Sequence, residues 1–136
     1  MFLTQESKTI IIDTLNQEVE PEFIYLFGSY ATGEAKSESD IDIAIYLNKQ
    51  ITPYELFLIS NKLSLRLKKD IDLINLNETS TVFAAQIVSK GHILYTKDDI
   101  LRQTYSMKIF KEYAKLNEER KVVLDSIRED GSIYEK

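Results

Sequence analysis

The sequence predicts an α/β (α+β) domain: a small mixed β-sheet flanked by helices, in a single unit spanning residues 1–136. Three observations carry this. Apolar residues recur at helical spacing before Pro21 and again after Thr52. Two short runs between those stretches, EFIYLF and DIDIAIYL, have strand length and are rich in β-branched and aromatic residues. A third such run, DIDLINL, follows the second helical stretch, and strands interleaved with helices favour a sheet with helical cover.

The first helix is expected from Glu6 to Glu18, where Ile11, Leu15 and Val19 share a face, and Pro21 ends it. A strand follows over Glu22–Phe27 and stops at Gly28. The segment SYATGE after it has room for one helical turn. In the strand Asp40–Leu47, Ile41, Ile43 and Ile45 face one way and Asp40 and Asp42 the other. Thr52, Pro53 and Glu55 form a capping box with proline at the first helical position, and Leu56, Ile59, Leu63 and Leu67 continue that helix. Asp70–Leu76 is a third strand, and a helix over about Ser80 to Lys90 is stopped by Gly91. His92–Tyr95 is a short extended segment. A long helix runs from Asp98 to about Ile127 (about 98–130 at its widest), with Leu101, Tyr105, Ile109, Tyr113, Leu116, Val123 and Ile127 on one stripe that Arg120 interrupts. The tail EDGSIYEK is expected to fray.

Bulk properties narrow the function. A formal net charge of −5 and the lack of a Lys/Arg cluster disfavour direct nucleic-acid binding. Without cysteine there is no disulfide, thiolate metal site or thiol nucleophile. MFLTQESK lacks the basic start and apolar run of a secretory signal. No stretch approaches the roughly 20 apolar residues that cross a bilayer. A cytoplasmic protein is expected.

Asp40 and Asp42 stand two apart on a strand and share a face. Carboxylates held close repel each other unless a positive charge sits between them. One reading leaves Asp40 at the strand mouth and Asp42 in water. The other is a site for Mg²⁺ or Mn²⁺, hard cations that act with one or two carboxylates plus substrate phosphates. Gly28 lets a phosphate approach the backbone, and Ser29 offers a hydroxyl and an N–H at a helix start. Together these make a nucleoside-triphosphate site. Asp72, within a strand that reads as mostly buried, needs a partner and is the candidate third acid; Asp70 is the register alternative at the solvated strand mouth.

The stretch GSYATGEAKSESDID, a Gly-Ser and an Asp-x-Asp ten residues apart, resembles the signature of the DNA polymerase β-like nucleotidyltransferases. Size and overall pattern are similar to the minimal nucleotidyltransferases, in particular the MntA-type antitoxins paired with HEPN-domain toxins. The resemblance implies that Gly28 and Ser29 bind the triphosphate of ATP and that Asp40 and Asp42 hold two Mg²⁺ ions, with Mn²⁺ as alternative. Asp72 would assist a metal or take the proton of the attacking hydroxyl. It further implies transfer of AMP to a tyrosine hydroxyl of a HEPN RNase toxin, neutralising it in a hetero-oligomer. Thr32 stands where many relatives carry arginine, which puts phosphate affinity in question; Lys36 is a nearby substitute or a solvated loop lysine.

Two other functions compete. One is silencing of the partner by covering it, without catalysis; the other is modification of a small molecule, for which few residues remain to build an acceptor pocket. The long last helix is a candidate dock for a partner, with packing on the sheet the plainer role for most of its apolar positions. His92, the one histidine, is remote from the acids in sequence, and KLNEERK reads as a solvated helix face with i,i+4 pairing.

Overall fold

The computed structural model describes the backbone of residues 1–134 and the side chains of residues 1–128. Helix α1 (Gln5–Glu18) is capped by Thr4, whose hydroxyl accepts the Ser7 N–H, and leads into β1 (Phe23–Phe27). A single turn, α2 (Ser29–Thr32), precedes β2 (Ile41–Tyr46). Helix α3 (Pro53–Leu67) starts as the capping box requires, with the Glu55 N–H on the Thr52 hydroxyl at 3.0 Å. Strand β3 (Ile71–Asn75), helix α4 (Thr81–Lys90, capped by Ser80), strand β4 (His92–Thr96) and helix α5 (Asp99–Tyr134) complete the order.

The sheet runs β3-β2-β1-β4. β1 is antiparallel to both neighbours, while β2 and β3 are parallel and joined by α3. This is the mixed sheet the sequence predicts. Alternation on β2 separates two cores. Ile41, Ile43 and Ile45 pack with Ile24 and Leu26 under α1, α2 and α3. Ala44 lies with Phe23 and Tyr25 on the opposite face, under α4 and α5. There the rings of Phe23 and Tyr46 stack at 4.9 Å, and Tyr105 leans on both, at 5.4 and 5.0 Å.

Helix α5 departs from expectation. It remains helical through Tyr134, past the point where fraying was expected to begin; residues 135–136 lie outside the described part. Its predicted apolar stripe is only partly used. Tyr105 and Ile109 are buried and Tyr113 packs beside them, but Val123 and Ile127 are more than half exposed. The sheet ends before the helix does, so the stripe continues with nothing to cover it. The KLNEERK segment is solvated apart from Leu116, but among the described residues its expected i,i+4 ion pairs do not form. We therefore expect Ile109→Ala to lower stability by about 2–4 kcal/mol, the usual cost of emptying a core isoleucine site. Ile127→Ala should stay within about 0.5 kcal/mol, as surface changes do. Urea unfolding of both variants checks this; equal losses would show that the distal helix is packed in solution. Among the described residues no helix is long and apolar enough to cross a membrane.

Candidate active site

The sheet brings the signature residues to one end. β1 leaves the sheet at Phe27, which pairs with Asp42 near the start of β2, and Asp42 pairs with Asp72 near the start of β3. Asp40 immediately precedes β2, fixed by the Ile41 N–H on the Asp70 carbonyl at 2.9 Å. Asp42 shares the α4/α5 face with Ala44, as the alternation predicts.

Gly28 lies close against Asp42. Its backbone (φ +71°, ψ −155°) lies in a region effectively reserved for glycine. A Cβ placed there would fall 2.0 Å from Asp42 Oδ2. The missing side chain is thus what lets the Asp42 carboxylate sit against the start of α2. The Gly28 carbonyl accepts the N–H groups of Ala31 and Thr32, closing the turn. Ser29 and Tyr30, first in the turn, have no intrahelical carbonyl for their N–H groups.

The carboxylates feel one another. Burial first, then the negative charges of Asp72 and Asp40, together push the Asp42 carboxyl up to about 6. Among the described residues no three acidic or histidine side chains stand close enough to enclose a metal ion unaided. An open pair of hard oxygen donors still fits Mg²⁺, which keeps several ligands from water and substrate phosphates and takes only one or two carboxylates.

One expectation needs correction. Asp72 is exposed, because β3 is the edge strand of the sheet, so burial does not force a partner on it. Its position opposite Asp42 comes from strand register instead. Asp70 lies just outside the strand, at its mouth. His92 pairs with Leu26, so it stands at the same end of the sheet as Gly28 although far from it in sequence; it is exposed, at the outer edge.

Two lysines matter that the sequence did not single out. Lys69 donates to the Ser37 carbonyl at 2.9 Å and lies 5.7 Å from the centre of the Tyr30 ring, tying the loop before Asp40 to the end of α3. Lys90, the last residue of α4, lines a hollow of about 330 Å³ together with Gly28, Ser29 and Thr32. Edge-to-face packing of Phe27 and Phe83, at 5.7 Å, builds its apolar wall. Both lysines depend on tertiary neighbours with no local sequence signal. A larger hollow, about 460 Å³, lies between α1 and α3 beyond the far end of β2 and is lined by none of Asp40, Asp42 and Asp72.

The chain is similar to several known proteins. The family model described as polymerase beta, nucleotidyltransferase matches residues 9–100. The protein adenylyltransferase MntA of Shewanella oneidensis is 32% identical over 128 residues, covering 92% of this chain and 90% of that protein. A crystal structure of a toxin–antitoxin with AMP-PNP superposes with a TM-score of 0.80 at 30% identity, covering 88% of this chain and 97% of the other. A complex of tri-AMPylated Shewanella oneidensis HEPN toxin with MNT antitoxin gives a TM-score of 0.77 at 28% identity, covering 92% and 98%.

Proposed function

Because the chain belongs to the polymerase beta nucleotidyltransferase family, we propose that it is a protein adenylyltransferase antitoxin. It transfers AMP from ATP to a tyrosine hydroxyl of a cognate HEPN RNase toxin and thereby neutralises it. The observation that carries this reading is the register that sets Asp42, two residues after Asp40, opposite Asp72 and directly against the side-chain-free face of Gly28. The likeness to MntA and to a complex containing a tri-AMPylated HEPN toxin supports the choice of donor and acceptor. Such a pair works in the cytoplasm, where ATP and the toxin's RNA are found.

In this reading Gly28 and Ser29 hold the phosphates, the glycine by leaving room and the serine through its hydroxyl and N–H. Asp40, Asp42 and Asp72 would hold Mg²⁺, or Mn²⁺, together with the nucleotide's own phosphates. When bound, the cation offsets charge on the phosphate oxygens and makes the acceptor hydroxyl more acidic. The acceptor oxygen bonds to the α-phosphorus as the bond to the β-bridging oxygen breaks, and pyrophosphate leaves with that electron pair. Asp72, open to solvent on the edge strand, takes the acceptor's proton. Its exposure suits an acceptor delivered by another macromolecule.

The test is an intact-mass measurement of the cognate HEPN toxin after incubation with this chain, Mg²⁺ and ATP. A gain of one or more AMP units, absent with Asp40→Ala, is expected. An equal gain with Asp40→Ala would refute the assignment. A second reading, neutralisation by covering, draws on the uncovered distal half of α5. It predicts that Asp40→Ala still silences the toxin without any mass gain.

A further inference from the structure

We infer that Lys90 is the cation that holds the β- and γ-phosphates of the bound nucleotide, reaching from α4 to serve a position that residue 32 leaves unserved. This rests on the nucleotidyltransferase reading.

The triphosphate is a polyanion, yet the charges around the signature are Asp40, Asp42 and Asp72, with Glu34 close by. Cations held by those carboxylates balance part of this. The far phosphates need a positive partner on the Ser29 side. Thr32 is not one: its hydroxyl donates to the Ser29 carbonyl at 3.2 Å and so serves its own helical turn. Lys36 is exposed in the loop and does not line the hollow beside Ser29. Lys90 does line it, and among the described residues it is the only Lys, Arg or His that does. Among the described residues its ammonium makes no hydrogen bond or ion pair, even with Glu34 on the same hollow.

The placement of Lys90 follows from the next residue. A Cβ on Gly91 would meet the Ile87 carbonyl at 2.5 Å and the Leu26 carbonyl at 2.9 Å. Only glycine lets the end of α4 lie this close to β1, two residues before Gly28. The apolar wall of Phe27 and Phe83 limits water on one side of the hollow, which strengthens a charge interaction formed there. A lysine serves phosphate well as a point charge on a flexible stem.

Calorimetric titration of ATP and AMP, with Mg²⁺, into wild type, Lys90→Met, Lys90→Arg and Glu34→Gln tests the assignment. Lys90→Met should weaken ATP about tenfold, the typical worth of one charge-assisted hydrogen bond. AMP, which lacks the outer phosphates, should bind as before. Lys90→Arg should restore most of the ATP affinity, and Glu34→Gln should tighten it by removing a like charge. In turnover with the toxin, KM for ATP should rise in Lys90→Met and kcat should fall as well, because the same ammonium offsets the charge that grows on the departing pyrophosphate. Wild-type ATP affinity in Lys90→Met, or an equal loss for AMP, overturns the role of Lys90 and leaves the enzyme assignment standing. Failure of the wild-type protein to bind ATP at all would overturn both. An unchanged melting temperature in Lys90→Met confirms that the fold is not the cause.

Discussion

Asp42→Asn is expected to make the metal-free protein more stable at neutral pH while abolishing nucleotidyl transfer. Burial and the charges of Asp72 and Asp40 raise the Asp42 carboxyl from its ordinary value to about 6 in the folded protein. In the unfolded chain it titrates near 3.9. At pH below the unfolded value the group is protonated in both states and contributes nothing to the balance. As pH rises from about 4 to about 6, the unfolded chain releases this proton first, and folding must increasingly hold a disfavoured carboxylate. Stability of the metal-free protein therefore falls across that window, and the penalty is complete above about 6. Asp42 is only half buried. Solvent screening at such a site reduces the penalty to about 1 kcal/mol. Asparagine removes it, so melting at pH 7.5 should rise by about 3–5 °C, and the difference should vanish near pH 4.

The same substitution removes a cation-binding oxygen. Changing residues that merely support metal ligands costs about 10–100-fold in activity, so losing a direct ligand should cost about a thousandfold or more. Added Mg²⁺ with ATP should then stabilise wild type and leave Asp42→Asn unmoved. A variant less stable than wild type when metal-free would show that the Asp42 carboxylate is satisfied by the protein alone, and the cation assignment would lose its physical basis. Opposite movement of stability and activity marks a group held in place for function.

What the sequence discloses here depends on how local the cause is. The strict alternation of DIDIAI places Asp42 on the opposite face from Ile41 and Ile43 without further information, because strand periodicity is a property of the backbone. The capping box at Thr52 is equally local. Gly28, Ser29 and the acids are proposed from the resemblance as well as from their chemistry, and strand register brings Asp42 opposite Asp72. Burial, the ground on which the sequence singles out Asp72, does not apply to it in the fold. A run such as DIDLINL looks the same in a central and an edge strand, and only strand order reveals that β3 has one free edge. Lys90 was illegible for the same kind of reason: its nearness to Gly28 requires β4 to pair with β1, so that Gly91 is brought up to Leu26. Helix α5 marks another limit. Its apolar spacing correctly predicts a helix, but spacing carries no information on where the sheet beneath it ends.

Gly28→Ala should leave the protein folded and nearly inactive. The added Cβ would lie 2.0 Å from Asp42 Oδ2 and 3.0 Å from its Cγ, far inside van der Waals contact. The backbone cannot relieve this cheaply, because φ +71° with ψ −155° already costs a non-glycine residue about 1–3 kcal/mol. The Asp42 side chain can, since it turns about two torsions and is half exposed. The carboxylate therefore swings away, and the methyl group fills the room left for a phosphate. Losses in both metal and nucleotide binding follow from one atom. Gly33→Ala is the control. Gly33 is also left-handed (φ +84°), and its Cβ would meet the ring of Phe2 at 2.5 Å. Phe2 is 65% exposed and free to move, so this variant should lose about 1 kcal/mol of stability and keep its transfer rate. Added to Asp42→Asn, Gly28→Ala should cost less than it does alone, because the part of its effect that acts through the carboxylate is already lost and only the lost phosphate room remains; independent sites would multiply their effects. Wild-type transfer by Gly28→Ala would mean that Asp42 tolerates displacement, and the close approach of Gly28 to its carboxylate would then have no catalytic purpose.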